Sequence, residues 1–303
     1  MTRHHETNYH YIHVISDCPS FIDVHKSYKN LAAAKPYLTT LSLNDFRQRI
    51  NRTGGQEIHL LNDPQNVFII WHDDIVTRDR KCKIIIRYSE MVSDLKNLGH
   101  QKEILYNFEN RITDYDFTLV HSKSAEKHFK RITNKVSYLP IGFDERVYGK
   151  PDYNSYKQYD LLHFGSYVGR RIKIIEYLKK HFGDRFLDLP CWDDERRDLL
   201  NRSKINLIIP WCKDASFAAF RMLHTLGTSA AMLTEKTDTH PAEEGKHILH
   251  ITDFDDEMTT IKEIEHALTL DLQSLSKQAN SDLAKITTDH SMNHIIELSK
   301  TLF

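Results

Sequence analysis

Two adjacent arginines begin a helical pattern in the second half of the chain. Arg170 and Arg171 follow the stretch Phe164-Gly-Ser-Tyr-Val-Gly169, which predicts a tight turn between a strand and a helix. Free amides at a helix start, the helix dipole and guanidinium groups all favour a phosphate or diphosphate group. The turn lacks the G-x-G-x-x-G spacing, so it does not predict a dinucleotide cofactor. The alternative is an arginine pair that is merely solvated.

A second helix start of the same kind follows at Ser216. This serine is a favourable N-cap for the helical pattern from Phe217 to Leu226, and the free amides after it would point outward. Arg221 lies five residues later, so its long side chain could extend back to the same helix end. An ordinary capped core helix would give this pattern too, but two such helix starts favour a phosphorylated ligand.

Short apolar runs alternate with helical patterns over most of the chain, which is typical of strands covered on both faces by helices in a mainly parallel sheet. A polar stretch, residues 149–158, predicts a linker between two successive β-α-β sets, and mainly helices are predicted from Asp256 onward. We therefore expect an α/β protein with two doubly wound domains. The predicted strands are Tyr11–Ile15, Val67–Trp71, Lys83–Tyr88, Phe117–Val120, Tyr159–Phe164, Ile205–Ile209 and Ala230–Thr234.

Ligands of open parallel sheets bind beyond the carboxyl ends of the strands, and this rule selects candidate residues in each half. In the second half it selects the turn 165–171, the stretch Pro190–Trp192 and residues 213–221. In the first half some of the selected side chains could act as a general base, although a structural cap or a loop hydrogen bond is an alternative role. The residues of the first half are Ser16, Asp17, His72, Asp73, Glu90 and Ser122.

Composition excludes several classes of protein. The chain has 303 residues, of which 40% are hydrophobic and 27% charged, so it can bury a sizeable core. Its four cysteines form no C-x-x-C pair and none of its 19 histidines stands in H-E-x-x-H, so we expect no metal site. No apolar run approaches the ~18 residues of a transmembrane segment, and the amino terminus lacks the apolar core of a secretory signal. A cytoplasmic protein is expected.

Charge divides unevenly between the two halves. Residues 1–150 carry 22 Lys and Arg against 18 Asp and Glu, whereas residues 151–303 carry 19 against 24. The basic surplus is concentrated within residues 78–87 and 123–135. Solvated helix faces and loop ends explain such a surplus, and a docking face for an acidic acceptor is the alternative.

The order of several motifs resembles the GT-B glycosyltransferases, in particular the spore-maturation-protein-like and family 4-like groups. The resemblance covers about residues 115–255 and rests on Tyr138-Leu-Pro-Ile-Gly-Phe-Asp144, Asp160-Leu-Leu-His-Phe-Gly-Ser166 with Arg170 and Arg171, Trp192, Ser203-Lys-Ile-Asn-Leu207, and Ser216-Phe217 with Phe220-Arg221. It implies two Rossmann-like domains facing across a cleft. Residues 1–140 would be the acceptor domain, and residues 141–303, with the C-terminal helices, the nucleotide-sugar-binding domain.

The resemblance also implies an activity and assigns roles. The protein would transfer a hexosyl or pentosyl group from a UDP-linked nucleotide-sugar to an acceptor. It would need neither a cofactor nor a metal ion. For this chemistry, the position of Asp17, His72 and Asp73 at the tips of predicted strands makes them the candidate catalytic residues, as the general base that inversion would need. Ser16, Glu90 and Ser122, selected by the same strand-end rule, would lie on the acceptor side. The donor-binding residues would be Gly165, Ser166, Arg170, Arg171, Pro190, Trp192, Ser216, Phe217, Arg221 and His224.

One position departs from the family pattern. Many members have a glutamate three residues after the arginine, where it holds the ribose hydroxyls, but this chain has His224 there. Glu243 and Glu244 lie in the next loop and are possible substitutes. The departure leaves open a nucleotide-sugar-binding subunit without catalysis.

The acceptor also stays open. A surface glycan, a lipid-linked glycan or a protein is the default, and a modified base in DNA, as in phage-type DNA glycosyltransferases, is motivated by the basic first half. The sequence decides neither the oligomeric state nor whether the anomeric configuration is retained. Metal-dependent glycosyltransferases of the other common fold use D-x-D after a strand. Asp114-Tyr-Asp116 precedes its strand and so lies at the wrong sheet edge for this role.

Overall fold

A computed structural model of the chain describes residues 9–17, 21–51, 58–71, 80–88, 100–210, 219–235 and 247–302. The chain divides into two compact units. Unit 1 comprises Met1–Gly142 and Thr288–Phe303, and unit 2 comprises Phe143–Thr287. Each unit contains one parallel sheet with helices, which confirms the predicted α/β class. No helix within the described ranges is both long and apolar enough to cross a membrane.

Unit 1 is built on a sheet of six parallel strands in the order β2-β1-β3-β4-β5-β6. The strands are β1 (His10–Ile15), β2 (Leu38–Ser42), β3 (Asn66–Ile70), β4 (Lys83–Tyr88), β5 (Phe117–Val120) and β6 (Val136–Tyr138). Its helices, numbered in chain order over the whole protein, are α1 (Ile22–Ala32), α2 (Leu43–Asn51), α3 (Ile58–Asn62), α4 (His100–Glu109), α5 (Lys123–Phe129) and α12 (Thr288–Leu302).

The central strands of unit 1 form because their apolar residues follow one another without a break. All five residues of β3 are buried, as are the last five of β4, so helices cover both faces of the sheet. β2, Leu-Thr-Thr-Leu-Ser, was not predicted from the sequence, since its two threonines are only half-buried and its pattern is not a continuous apolar run.

The last helix, α12, belongs to unit 1 and not to the C-terminal domain in which the sequence analysis placed all the C-terminal helices. It packs on α1, and its buried face includes Met292 and Ile295. Ser291 Oγ donates to Pro140 O over 3.3 Å. An amphipathic pattern shows that a helix must cover a core, but it does not show which core.

Unit 2 contains five parallel strands in the order β11-β10-β9-β7-β8. The strands are β7 (Tyr159–His163), β8 (Phe186–Asp188), β9 (Ser203–Ile208), β10 (Ala231–Glu235) and β11 (Leu249–Ile251). The helices are α6 (Glu145–Tyr148), α7 (Arg171–Phe182), α8 (Asp193–Asn201), α9 (Ala219–Leu226), α10 (Glu257–Leu268) and α11 (Leu272–Leu283).

The strand order of unit 2 reverses between β7 and β9, which are neighbours in the sheet although β8 lies between them in sequence. In doubly wound sheets such a reversal leaves a crevice outside the carboxyl ends of the two strands, and ligands bind there. The turn after β7 and Ile209 after β9 therefore lie at the favoured edge of the sheet.

The stretch 149–158 was predicted to be a linker, but it lies within unit 2. Lys157 anchors it, because its Nζ donates to the carbonyl oxygens of Asn201, Ser203 and Ser229 over 2.7–3.2 Å. A polar composition predicts a solvated segment and gives no sign of an ammonium group that binds buried carbonyls.

Candidate functional site

The turn after β7 lies directly beside the side chain of Arg221. Gly165 has a φ of +150°, a value that favours glycine. A Cβ at this position would lie 3.5 Å from Arg221 Nη1 and 3.8 Å from His163 Cε1. The absence of a side chain therefore lets the backbone of the turn come close to the guanidinium group.

Two arginines meet at the carbonyl oxygen of Ile209, just after β9. Arg171 Nε donates to Ile209 O over 2.8 Å, and Arg221 Nη1 lies 3.5 Å from the same oxygen. Arg171 Nη1 also contacts the carbonyl and the hydroxyl of Ser166, at 3.3 and 3.2 Å. Because Arg171 is 2% exposed, its role is to hold the Ser166 turn against the end of β9. Gly165, Ser166, Arg171 and Arg221, four of the residues predicted to bind the donor, thus lie together.

Arg221 is the member of this group that α9 contributes. None of the described Asp or Glu side chains pairs with it, and burial lowers the pKa of its guanidinium to about 10. Its helix is anchored to β9, because Thr225 Oγ1 donates to Arg221 O over 2.8 Å and Asn206 Nδ2 donates to Thr225 Oγ1 over 2.7 Å. A partly buried cation without an acidic partner is stabilised when an anion binds to it.

Arg170, the other member of the arginine pair, is already neutralised. It forms a two-pronged contact with Glu235, at 2.8 and 2.5 Å, and its Nε donates to Asp255 Oδ1 over 3.0 Å. The sequence analysis missed Glu235, although an acidic residue directly after the apolar run Ala230–Thr234 could have been noticed. Arg170 therefore ties the turn to β10 and to the loop before α10, and the guanidinium left for a ligand is that of Arg221.

A histidine–aspartate pair that the sequence analysis also missed lies at the end of β7. His163 Nδ1 is 2.9 Å from Asp188 Oδ1, and both side chains are buried. Asp188 Oδ2 also accepts a hydrogen bond from the Tyr167 hydroxyl and pairs with Lys179 Nζ at 2.8 Å. Burial opposes ionisation of Asp188, but the contacts with His163, Lys179 and Tyr167 outweigh it and lower its pKa to about 2.

The loop Pro190–Trp192 follows β8 and is held next to the end of β7. Leu189 N donates to His163 O over 3.3 Å, and Cys191 is buried in a cluster with Phe164 and Leu200. Trp192 directs an aromatic surface to solvent, with 60% of the residue exposed, and Pro190 is exposed as well. A large exposed aromatic side chain beside a ligand edge is suited to stacking on a planar group.

His224 lies on the interior side of α9. It is 4% exposed, and its ring contacts those of Tyr148 and Phe164 edge-on, at centroid distances of 5.0 and 6.4 Å. Its burial between two aromatic rings distinguishes it from the exposed members of the predicted donor set, Pro190 and Trp192.

Three of the candidates in unit 1 lie within the described residues. Asp17 Oδ2 accepts from the amide of Asn44 over 2.8 Å, which helps to hold the start of α2. Ser122 is the N-cap of α5 and accepts from Ala125 N over 3.1 Å. Ser16 is buried at 8% exposure. His72, Asp73, Glu90, Ser216 and Phe217, with Glu243 and Glu244, lie outside the described residues.

Unit 1 also holds a buried arginine that the sequence analysis treated only as part of the basic surplus. Arg87 is 0% exposed and donates to Tyr28 Oη and to the carbonyl oxygens of Leu139 and Pro140, over 3.1–3.2 Å. Its guanidinium carbon lies 4.4 Å from the ring centre of Trp71. A single arginine inside the apolar run Lys83–Tyr88 was the signal that could have revealed it.

Comparison with proteins of known structure places this arrangement in a known fold. The chain has the GT-B fold. A UDP-forming α,α-trehalose-phosphate synthase from Burkholderia vietnamiensis superposes with a TM-score of 0.64 at 10% identity, over 95% of this chain and 96% of that one. HepE from Anabaena, in complex with UDP and glucose, gives a TM-score of 0.60 at 10% identity over 97% and 100% of the two chains.

A third GT-B structure is an α-glucosyltransferase in complex with UDP and a 13-mer DNA that contains an HMU base. It gives a TM-score of 0.58 at 9% identity, over 95% of this chain and 98% of that one. No family model matches the sequence, and no curated protein is significantly similar to it. The fold predicted from the motif order is thus confirmed by structural similarity alone.

The D-x-D stretch Asp114-Tyr-Asp116 and a second one, Asp253-Phe-Asp255, make contacts within the protein. Asp116 Oδ2 accepts from Arg80 Nη2 over 3.0 Å and from Ile84 N over 2.8 Å, whereas Asp255 pairs with Arg170. Within the described ranges, no group of three or more His, Cys, Asp or Glu side chains is placed to hold a metal ion.

Proposed function

We propose that the protein is a glycosyltransferase that moves a sugar from a nucleotide-sugar to an acceptor and that unit 2 binds the donor diphosphate. The observation that carries this proposal is the guanidinium of Arg221. It lies next to Gly165 at the carboxyl ends of β7 and β9, it is partly buried, and none of the described carboxylates pairs with it. The GT-B fold and the UDP in two of the compared structures support the same assignment.

Transfer of the sugar leaves a nucleoside diphosphate on which negative charge grows. A guanidinium that is partly desolvated and fixed by its helix stabilises this charge with little reorganisation, which is an effective form of electrostatic catalysis. Arg171 contributes indirectly, because it positions the Ser166 turn whose backbone borders the phosphates in this proposal. We propose that this cationic edge replaces a metal ion in stabilising the leaving group.

The nucleotide base is assigned to the loop after β8. Trp192 is exposed, and the loop is anchored by Cys191 in the cluster that also contains Phe164, the residue directly before Gly165. Stacking of the base on this indole would orient the nucleotide while its diphosphate lies at Gly165 and Arg221. We propose uracil as the base.

Unit 1 is assigned to the acceptor. If the reaction inverts the anomeric configuration, Asp17, His72 and Asp73 are the candidates for the general base. Ser16, Glu90 and Ser122 stay candidates for acceptor contacts. The amide contact of Asp17 and the helix-capping contact of Ser122 give both residues structural tasks as well.

Isothermal titration of the full chain with UDP, GDP and ADP tests the proposal. We expect one of the diphosphates to bind, and its monophosphate to bind at least tenfold more weakly, because the second phosphate is the group that reaches Arg221. Arg221→Gln should weaken diphosphate binding by about 100-fold, since a charge-assisted contact to a buried anion contributes about 3 kcal/mol. Nucleotide-sugars with the same base then test transfer to water and to acceptors.

Arg185→Gln is the matched control, since Arg185 is a half-exposed arginine of unit 2 that pairs with Asp160 at 3.0 Å. It should bind the diphosphate as the wild type does. Absence of binding to all three diphosphates would contradict the proposal. Binding without any hydrolysis or transfer would favour the alternative of an inactive nucleotide-sugar-binding subunit.

A modified base in DNA is the second acceptor class. Unit 1 exposes basic side chains on α5 and on the turn after it, including Lys127, Arg131 and Lys135, and one of the compared GT-B structures contains DNA. Contacts with phosphates release counterions, so binding of a DNA duplex should weaken steeply as salt rises from about 50 to 200 mM. Absence of duplex binding at low salt would leave a glycan, a lipid-linked glycan or a protein as the acceptor.

A further inference from the structure

One ring nitrogen of His163 is buried and has no hydrogen-bond partner among the described residues. His163 is the last residue of β7 and is 0% exposed. Its Nδ1 contacts Asp188, but its Nε2 contacts no donor or acceptor in the part of the chain that the structure describes. A buried polar atom without a partner is costly, and such atoms mark places where a ligand or an ion completes the contact.

The tautomer of His163 follows from the state of Asp188. With its pKa lowered to about 2, Asp188 is ionised near neutral pH and can only accept hydrogen bonds. The proton between the two residues therefore lies on Nδ1 of His163. In the neutral ring this leaves Nε2 as a bare lone pair.

The position of Nε2 relates it to the diphosphate site. The neighbouring ring atom, Cε1, lies 3.8 Å from the place that a Cβ would take on Gly165, and Arg221 Nη1 lies 3.5 Å from that same place. His163 and Arg221 thus converge on the side of the turn where a phosphate group is expected.

The charges that face His163 keep it neutral in the free protein. Burial lowers the pKa of His163; the contact with Asp188 opposes this, and the positive charges of Arg221 and Arg171 lower the pKa further. Tyr167 and Lys179 act on the ring through Asp188, to which both are bonded. A diphosphate bound at Arg221 would bring negative charge to this side, and that charge favours the imidazolium.

We propose that His163 belongs to the diphosphate site and takes up a proton at Nε2 when a nucleoside diphosphate binds, so that Asp188, an imidazolium and the phosphates form one chain of charge-assisted hydrogen bonds. The inference rests on the proposed function. The proton comes from the solvent and returns to it when the diphosphate leaves. No bond to carbon changes in this step, and His163 is a binding residue for the leaving group.

The experiment measures protons taken up as UDP binds to the full chain, from the heats of titration at pH 7.5 in two buffers of different ionisation enthalpy. GDP and ADP are titrated in the same way if they are the diphosphates that bind. At this pH the terminal phosphate of free UDP carries little proton, because second phosphate pKa values lie near 6. We expect uptake approaching one proton per UDP bound. Affinity should fall by up to about tenfold per pH unit between the pKa of the free ring and the higher pKa of the bound imidazolium, and should level off above the latter.

His163→Gln should abolish the uptake and weaken UDP binding, while the matched control His181→Gln, at an exposed histidine of α7, should leave both unchanged. Nitrogen chemical shifts of His163 in the wild-type protein give an independent measurement, since they distinguish a neutral ring from an imidazolium and need no variant. Equal uptake in His163→Gln and wild type, or a neutral His163 ring in the UDP complex, would overturn the inference while leaving the proposed function intact. Failure of the wild type to bind UDP, GDP or ADP would overturn both.

Discussion

Arg87 in unit 1 and Arg221 in unit 2 both lack an acidic partner among the described residues, but Arg87 is fully buried whereas Arg221 is partly buried. Arg87 donates to three oxygen atoms and stacks on Trp71. The guanidinium of Arg221 makes one hydrogen bond within the described part of the chain, a long one of 3.5 Å to Ile209 O. Burial lowers the pKa of both guanidinium groups.

This difference separates a structural cation from a binding cation. The guanidinium of Arg87 has exchanged water for carbonyl oxygens, a phenol and an indole face, so its desolvation is compensated within the fold. The guanidinium of Arg221 is partly buried and makes one long hydrogen bond within the described residues, so an anionic ligand has most to contribute there. Burial of a charge does not by itself indicate function.

Replacement of Arg87 and of Arg221 by methionine should affect the free energy of unfolding differently. Arg87→Met should lower the free energy of unfolding by about 3 kcal/mol, because the carbonyls of Leu139 and Pro140 and the Tyr28 hydroxyl lose a donor inside the core. Arg221→Met should leave stability unchanged or raise it by up to about 1 kcal/mol, because it removes a partly buried charge with few contacts. Urea unfolding, monitored by tryptophan fluorescence, measures both.

Diphosphate binding should distinguish the two variants as well. Arg221→Met should no longer bind the diphosphate, whereas Arg87→Met should still bind it at temperatures where the protein stays folded. If Arg221→Met destabilised the protein as strongly as Arg87→Met, both arginines would be structural and the distinction between them would fail.

Asp188, close to the same turn, is paired with His163, Tyr167 and Lys179. The pKa of Asp188 is about 2 in the folded protein, below its ordinary value of 3.8, so the folded state favours the ionised form. Its contribution to stability, about 2 kcal/mol, is therefore present above pH 4 and lost as the pH falls toward 2. Urea unfolding of wild type and Asp188→Asn at pH 7, 5 and 3 should show a difference that shrinks as the pH falls.

Asp184→Asn is the control for this pH series, because Asp184 is an exposed aspartate of the same unit. It should follow the wild type at every pH. A difference between Asp188→Asn and wild type that stayed constant from pH 7 to 3 would mean that the charge of Asp188 contributes nothing.

The smallest effect is expected at the exposed edge of the same site. Trp192→Ala should weaken binding of the diphosphate about fivefold to tenfold, since stacking of a base on an aromatic ring contributes at least about 1 kcal/mol. Stability should not change, because the side chain is largely in solvent. Tyr156→Ala, at a tyrosine that is 83% exposed in the same unit, is the matched control for titration.

The fold could be predicted to a large extent because continuous apolar runs mark buried parallel strands. β4 and β5 have the predicted bounds, and β7 differs by one residue at its end. β8 and β11 were missed because three-residue strands have no periodicity to detect. The unit to which α12 belongs depends on long-range packing, which a single amphipathic pattern does not encode.

The candidate site could be predicted only as a region. The rule for carboxyl ends of strands selected Gly165, Arg171 and Arg221, since it depends on topology alone. The division of tasks between Arg170 and Arg221 could not be predicted, because it depends on the position of Glu235, 65 residues away from Arg170 in sequence. His163 lies within the predicted strand Tyr159–Phe164, and no sequence pattern indicates its contact with Asp188.

The return of the chain to unit 1 makes unit 2 an insertion within unit 1. Its two ends lie side by side, because Phe143 N donates to Ile286 O over 2.7 Å and Phe143 forms a bridge with Thr287. A premature stop after residue 287 would therefore spare the whole of unit 2 and remove only the last 16 residues of the chain. It would strip the covering helix from unit 1, so the damage of a C-terminal truncation would fall on the N-terminal half of the sequence.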